Sequence, residues 1–302
     1  MDWDDLRLFL HVARAGRITG AAARLGLDHS TVSRRLSRLE AAVGTALFSR
    51  AGRRLKINAA GESLLSLASR MEAVLIRDIG AVAGTAEAVT GTVRIGAPEG
   101  LGAGYLGARL DRLCAGHPGL DLELVALPQS YSLASREVDI AVTLDRPKAG
   151  SVATRRLTGY RLGLFAAPAY AARHGLPETP AELARHRLAG YIPTLLHTAE
   201  LDYLDATGVT LRPQLKSTSI IAQRAIVETG QAIGILPFFL VRPEAGLVPL
   251  LAGTFTLKRS YWLSVHDDLR PLARIRVALD ALAALVRDDQ DLFNAPPGAP
   301  AP

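Results

Sequence analysis

The 302-residue chain has one cysteine, Cys114. A single thiol excludes an internal disulfide, a cysteine zinc knuckle and a two-cysteine redox switch. Cys114 reads as a small buried hydrophobe, with a modifiable thiol as the alternative. Also lacking is any apolar run long enough to span a bilayer, or a basic start leading into an apolar leader segment, so a cytoplasmic location is expected. There is no glycine-rich phosphate loop, no GxSxG elbow and no His/Cys metal spacing. His11, His117, His174, His186, His197 and His266 are scattered without a shared period. These absences argue against an enzyme and imply neither a cofactor nor a metal.

The apolar fraction of 49% and charged fraction of 21% are those of an ordinary globular protein, and the length suits two or three domains. The formal charge of +6 is unevenly placed. Residues 1–60 hold 11 Lys/Arg against 5 Asp/Glu, whereas the remaining residues hold 24 of each. The whole excess therefore sits in the first sixty residues, the electrostatic footprint of a nucleic-acid-binding segment. A membrane-surface reading is weaker, because the cationic helix has no aromatic anchors opposite its charges.

Ile18 to Glu40, ITGAAARLGLDHSTVSRRLSRLE, lies at the centre of that excess. Ala21, Ala22 and Leu25 make one small apolar helix face that lets a neighbour approach closely. Gly26 suits a left-handed helix end, and Asp28 suits the cap of the next helix. In that helix Val32, Leu36 and Leu39 share a face, while His29, Ser30, Thr31, Ser33, Arg34, Arg35 and Arg38 occupy the others. This is the pattern of a helix-turn-helix, with short polar groups for base edges and arginines for phosphates. An αα-hairpin with a solvated basic face is the alternative. Before it, Trp3 to Ala15 reads as a helix with Leu6, Phe9, Leu10 and Ala13 on one stripe. After it, Ser49 to Ile57 reads as a wing hairpin bent at Gly52, carrying Arg50, Arg53, Arg54 and Lys56 along a DNA backbone or as a solvated loop. Asn58 would then cap a helix over 59–85 with a seam of Leu64, Ala68, Met71, Leu75, Ile79 and Val82. The seam suits a second copy of the chain, which would let two modules engage two half-sites; packing on its own chain is the other reading.

The run DLRLFLHVARAGRITGAAARLGLDHSTVSRRLSRLEAAVGTALFSRAGRRLKINAAGE resembles the winged helix-turn-helix and linker helix of the LysR-type transcriptional regulators. One departure stands at the opening of the second helix, Asp28-His29-Ser30, where the family commonly has a Ser-Gln-Pro-like sequence. His29 in place of a base-reading Gln bears on operator sequence rather than on DNA binding.

From Thr92 the pattern changes to alternating strands and helices. TVRIGA, LDLELVAL, VDIAVTL, RLGLFAA, Leu188 to Ile192, PQLKS and AIGILP read as strands, with helix-length segments implying parallel α/β units. This half is similar to the LysR effector-binding domain, a two-subdomain fold like a periplasmic binding protein. The expected organisation is a winged helix-turn-helix domain at 1–58, a linker helix at 59–90 and an effector-binding domain at 91–290. Within the last, subdomain I covers about 91–160 and 267–290 and subdomain II about 161–266. The chain would cross near Thr158 to Arg161 and return near Val265 to Asp268, and residues 291–302 would form a disordered tail.

In such a fold a small-molecule inducer binds between the subdomains, at strand ends and helix N-termini. The mapped edges are Pro98-Glu99-Gly100, Gln129-Ser130, Thr143 and Ser217-Thr218-Ser219, with Pro193 and Thr194 on the far wall. Each Ser or Thr is equally readable as a helix cap. Glu99 stands where the family often has Ser or Thr, and its charge would oppose a carboxylate there. Either the inducer presents a cationic or hydroxyl group to it, or Glu99 turns out to solvent.

The resulting expectation is a ligand-responsive, sequence-specific regulator that binds double-stranded DNA as a homodimer or tetramer, with RNA polymerase as a further partner and no membrane. The alternative is a cytoplasmic small-molecule-binding α/β protein with a non-specific nucleic-acid anchor. A solute-binding transport protein would share the second half but needs neither the basic module nor cytoplasmic retention.

Overall fold

The computed structural model of the protein describes residues 2–51, 54–65, 67–68, 71–72, 89–127, 137–147 and 152–297. Three helices, α1 (Trp3–Ala15), α2 (Ile18–Leu25) and α3 (His29–Val43), open the chain, followed by a hairpin of β1 (Phe48–Ala51) and β2 (Arg54–Ile57). Leu6, Phe9, Leu10, Ala21, Ala22, Val32, Leu36 and Leu39 are buried together, so the three helical stripes read from spacing form one core. The turn between α2 and α3 follows from two residues. Gly26 ends α2 at φ 65°, and Asp28 begins α3 by accepting the Thr31 backbone N–H at 2.8 Å. Phe48 pairs with Ile57 across the hairpin, while the bend at Gly52 and Arg53 lies outside the described residues.

Asn58 starts the linker helix with both ends of its amide. Its Oδ1 accepts the Gly61 N–H at 2.9 Å and its Nδ2 donates to the Ala46 carbonyl at 2.8 Å. Leu64 and Ala68, the first two seam positions, are buried in the helix-turn-helix core, as is Leu65. Leu67 and Met71 are instead exposed, at 45% and 39%. The later seam positions, Leu75, Ile79 and Val82, lie outside the described residues.

A nine-stranded sheet organises the second half, in the order β4-β3-β5-β11-β6-β9-β7-β8 with β10 beside β6. Its strands are β3 (Thr90–Pro98), β4 (Gly119–Leu127), β5 (Ile140–Thr143), β6 (Val152–Ala166), β7 (Leu188–Gly190), β8 (Leu215–Lys216), β9 (Ile233–Pro237), β10 (Val248–Leu250) and β11 (Leu257–His266). β3 runs parallel to β4 and β5 at one end, and β7 runs parallel to β8 and β9 at the other, as α/β units require. Between them β6 and β11 are antiparallel and belong to both ends. The strand expected at RLGLFAA is only the end of the 15-residue β6. Its first half, with Thr154, Arg155 and Arg156, is partly exposed and so lacks the apolar signal of a buried strand.

Further helices cover the sheet, among them α4 (Pro168–His174), α5 (Ile220–Glu228), α6 (Ala273–Asp288) and α7 (Gln290–Asn294). α6 buries Ile275, Ala278, Leu282, Leu285 and Val286. A disordered tail from 291 is corrected by α7. Phe293 is fully buried, with its ring centroid 4.8 Å from that of Tyr105 and 4.9 Å from that of Phe239, and Asn294 donates to the Gly159 carbonyl. One buried aromatic here outweighs the proline- and alanine-rich composition that follows.

Gly61 supports a test of the domain–linker joint. A Cβ there would run into the Leu47 carbonyl oxygen and the Ile57 side chain. Gly61→Ala is expected to destabilise the N-terminal domain by about 1–3 kcal/mol, read as a lower urea midpoint of its unfolding transition.

Candidate nucleic-acid interface and effector cleft

The polar residues of α3 divide into two groups with different work. Arg35 and Arg38 face α1, where Asp5 is only 2% exposed. Arg35 Nε donates to Asp5 Oδ1 at 2.8 Å, and Arg38 donates through Nε to Oδ2 and Nη2 to Oδ1, each at 2.8 Å. Burial would raise the Asp5 carboxyl, but hydrogen bonds from both arginines more than offset it and hold the group below the usual carboxylate range. A buried carboxylate would be costly alone, so this three-way pairing pins α3 to α1.

The N-terminal end of α3 presents the other group. His29, Ser30, Ser33 and Arg34 are exposed, and Thr31 is half-buried. Ser30 Oγ donates to Asp28 Oδ1 at 2.5 Å and Thr31 Oγ1 donates to Asp28 Oδ2 at 2.7 Å. Those bonds, from Ser30 first and then Thr31, keep the Asp28 carboxyl strongly depressed and ionised. The two hydroxyl protons are therefore committed to the cap, although the oxygens still have lone pairs. Of the wing, Lys56 is exposed, while Arg53 and the side chains of Arg50 and Arg54 lie outside the described residues.

In the second half, Glu99 follows β3 and reaches α5. Its Oε1 accepts the Ser219 hydroxyl at 2.8 Å and its Oε2 accepts the Ile220 N–H at 3.1 Å. Ser219 Oγ in turn accepts the Ala222 N–H at 3.0 Å, and Ser217 Oγ accepts the Ser219 N–H at 3.1 Å. Glu99 thus turns to the N-terminus of α5 and not out to open solvent. It supplies the negative charge at a helix N-terminus. A Cβ on Gly100 would lie 2.9 Å from the Ile220 side chain, so the two elements meet closely here.

Pro98, Glu99, Gly100 and Thr218 line a cavity of about 30 Å³ between the two halves of the sheet, room for about one water. Thr143 is nearby in the fold but donates its hydroxyl to the Asp145 carbonyl at 2.7 Å. Pro193 lines a separate cavity of about 360 Å³. Thr194 is exposed, and Gln129 and Ser130 lie outside the described residues. Spacing gave no sign of the aromatic wall formed by Tyr191, Tyr203 and Tyr261. Tyr160 stacks on Tyr261 with centroids 4.4 Å apart, and Tyr191 meets Tyr203 edge-on at 5.6 Å. Burial pushes the phenols of Tyr160, Tyr191 and Tyr261 well up and that of Tyr203 to about 12, so all four stay protonated. The tyrosines are far apart in sequence and carry no periodic signature, which is why only the fold assembles them.

Among the described residues no helix is long and apolar enough to cross a membrane, and no three His, Cys, Asp or Glu residues form a metal cluster. A basic helix-turn-helix joined to a two-part α/β binding domain defines a bacterial DNA-binding regulator. Residues 3–62 match the family described as bacterial regulatory helix-turn-helix protein, lysR family, and residues 86–287 match the LysR substrate binding domain. The regulator CrgA of Neisseria meningitidis serogroup C (strain 8013) is 29% identical over 92% of this chain and 95% of its own. PtxR of Pseudomonas aeruginosa is 30% identical over 93% of this chain and 92% of its own. Among solved structures, CrgA from Neisseria meningitidis superposes with a TM-score of 0.57 at 26% identity, covering 94% of this chain and 98% of that one. A full-length OxyR variant from Pseudomonas aeruginosa shares the fold with a TM-score of 0.70 at 18% identity, covering 95% and 98%. The chain belongs to the LysR family of transcriptional regulators, which are ligand-responsive DNA-binding proteins and not enzymes.

Replacing Asp5 separates structure from recognition. Asp5→Asn is expected to cost about 2 kcal/mol, the order of a charged hydrogen-bond set, seen as earlier thermal unfolding of the N-terminal domain. Because the folded carboxyl is depressed, its stabilisation is complete above the ordinary carboxylate pKa and is lost as pH falls through the lowered value. The gap between wild type and Asp5→Asn should therefore close on acidification.

Proposed function

We propose that this regulator reads its operator with the exposed N-terminal end of α3 and changes that engagement when a small molecule binds between its subdomains. His29, Ser33 and Arg34 are assigned to base edges in the major groove, Ser30 and Thr31 to contacts their oxygens can still accept, and Arg50, Arg53, Arg54 and Lys56 of the wing to phosphates. Arg35 and Arg38 act chiefly by holding α3 on α1. The carrying observation is this division of labour: an exposed polar helix end beside a second set of arginines locked onto Asp5.

A homodimer would form through the linker helix, with Leu67 and Met71 exposed on it, and effector-domain contacts would extend the dimer to a tetramer. Effector binding would favour one arrangement of subdomains, alter the spacing of the DNA-binding modules and so alter DNA bending or contact with RNA polymerase. Such work places the protein in the cytoplasm. The organisation that supports it is a DNA-binding domain at 1–58, a linker at 59–90 and an effector domain from 91.

A salt-titrated gel shift on the DNA upstream of the protein's own gene tests this reading. Arg34→Ala is expected to weaken operator binding by about 1–3 kcal/mol and relax specificity. Arg53→Ala should weaken all sequences alike and flatten the salt dependence. Arg38→Ala should lower stability more than specificity. Weak binding equal on every DNA would leave only an electrostatic anchor.

A further inference from the structure

We propose that the molecule taken between the subdomains presents an organic cation, a protonated amine, to Glu99, and that the cleft discriminates against carboxylates. This rests on reading the cleft as the effector site. The first argument is occupancy. The N-terminus of α5 is where an anionic group would be held, and the chain's own carboxylate already fills it through Ser219 Oγ and Ile220 N. An incoming carboxylate would find those donors taken and a negative charge in front of it. A carboxylate has about four acceptor positions, and Glu99 uses two among the described residues, so N–H donors can still be received.

The walls point the same way. Tyr191, Tyr203 and Tyr261 line the cleft, and aromatic rings attract a cation placed over their faces.

Size and charge complete the case. The cleft alone has room for about one water, but Tyr191, Leu201 and Tyr203 are shared with the adjoining cavity of about 360 Å³. Displacement of that shared wall would join the two into a space suited to a small organic molecule. The second cavity adds Asp202 and Asp205, and among the described residues lining either cavity there is no Lys or Arg. The lining of the two cavities thus offers a cation three carboxylates and one imidazole, His197, whose pKa burial lowers, while Arg259 stands with Asp202 and Asp205 at a neighbouring cavity.

Calorimetric titration of the full chain with matched probes tests the assignment: benzylammonium, benzyl alcohol and benzoate, and butylammonium, butanol and butyrate. The ammonium member of at least one set is expected to bind at least about tenfold more tightly than its alcohol and its carboxylate. Glu99→Gln, which keeps one acceptor for the helix cap, should weaken ammonium binding by about tenfold or more. The alcohols remove charge from the ligand instead of the protein, so the comparison stands even if Glu99→Gln fails to fold. Ammonium binding that Glu99→Gln leaves unchanged would put the cation outside the cleft and overturn the proposal. A preference for carboxylates that Glu99→Gln strengthens would keep the cleft as effector site and overturn only its choice of charge. No binding of either ammonium ion at about 10 mM, a concentration that saturates even millimolar sites, also rejects it.

Discussion

The antiparallel ladder between β6 and β11 is the constraint on which the effector-binding half depends. It runs from Leu257 opposite Leu162 to Val152 opposite His266, and both ends of the sheet are built outward from it. β9 joins β6 at one end through Leu162 to Phe165, and β5 joins β11 at the other through Ile140 to Thr143. The only register shift in the ladder falls between Tyr261 and Trp262, where one extra residue on β6 lets the strands bend. Tyr261, immediately beside that bulge, is also a wall of the cleft. On the proposed reading, a change of angle between the halves would be made at this bulge, beside a ring that lines the cleft, without breaking the backbone hydrogen bonds on either side.

A second constraint, of opposite character, governs the DNA-binding end. Hydrophobic burial of Phe9, Val32, Leu36 and Leu39 brings α1 and α3 together without specifying their rotation. Asp5 supplies that specification, since its carboxylate is satisfied only when Arg35 and Arg38 both point at it. With those two side chains directed at α1, though Arg38 itself stays largely exposed, helical spacing leaves His29, Ser33 and Arg34 on other, exposed faces. Basic charge on a recognition helix is therefore not one quantity. Some of it fixes the pose of the helix and some is left exposed.

Much of this was legible from residue order. The turn at Gly26, the caps at Asp28 and Asn58, and the core stripe of α3 all follow from local chemistry, and each recurs in the structure. Local pattern also located most strands of the α/β half. It could not assign Arg35 and Arg38, because their partner lies thirty or more residues earlier and an arginine on a helix flank looks the same whether it faces a carboxylate or water. It stopped β6 short, where partial exposure admits polar residues, and it lost α7 to the composition around Phe293. The tyrosine wall was invisible for a plainer reason: Tyr160, Tyr191, Tyr203 and Tyr261 come from separate strands and loops.

Glu99 shows how one residue can link these levels. In sequence it is only a charge at an unusual place after a strand; in the fold it joins β3 to α5 across the boundary between the halves. Its two bonds favour approach of the halves, and Gly100 beside it removes the side chain that would resist that approach. Opening the cleft must therefore strip Ser219 and Ile220 of their acceptor or carry Glu99 along with α5. Water can replace a lost partner at modest net cost, since a protein hydrogen bond is exchanged for one to solvent. A ligand that replaces it with a better electrostatic partner gains what water gives up, and shifts the balance between open and closed forms by that difference alone. On the proposed reading, the carboxylate that joins the two halves is also the group a bound molecule would engage.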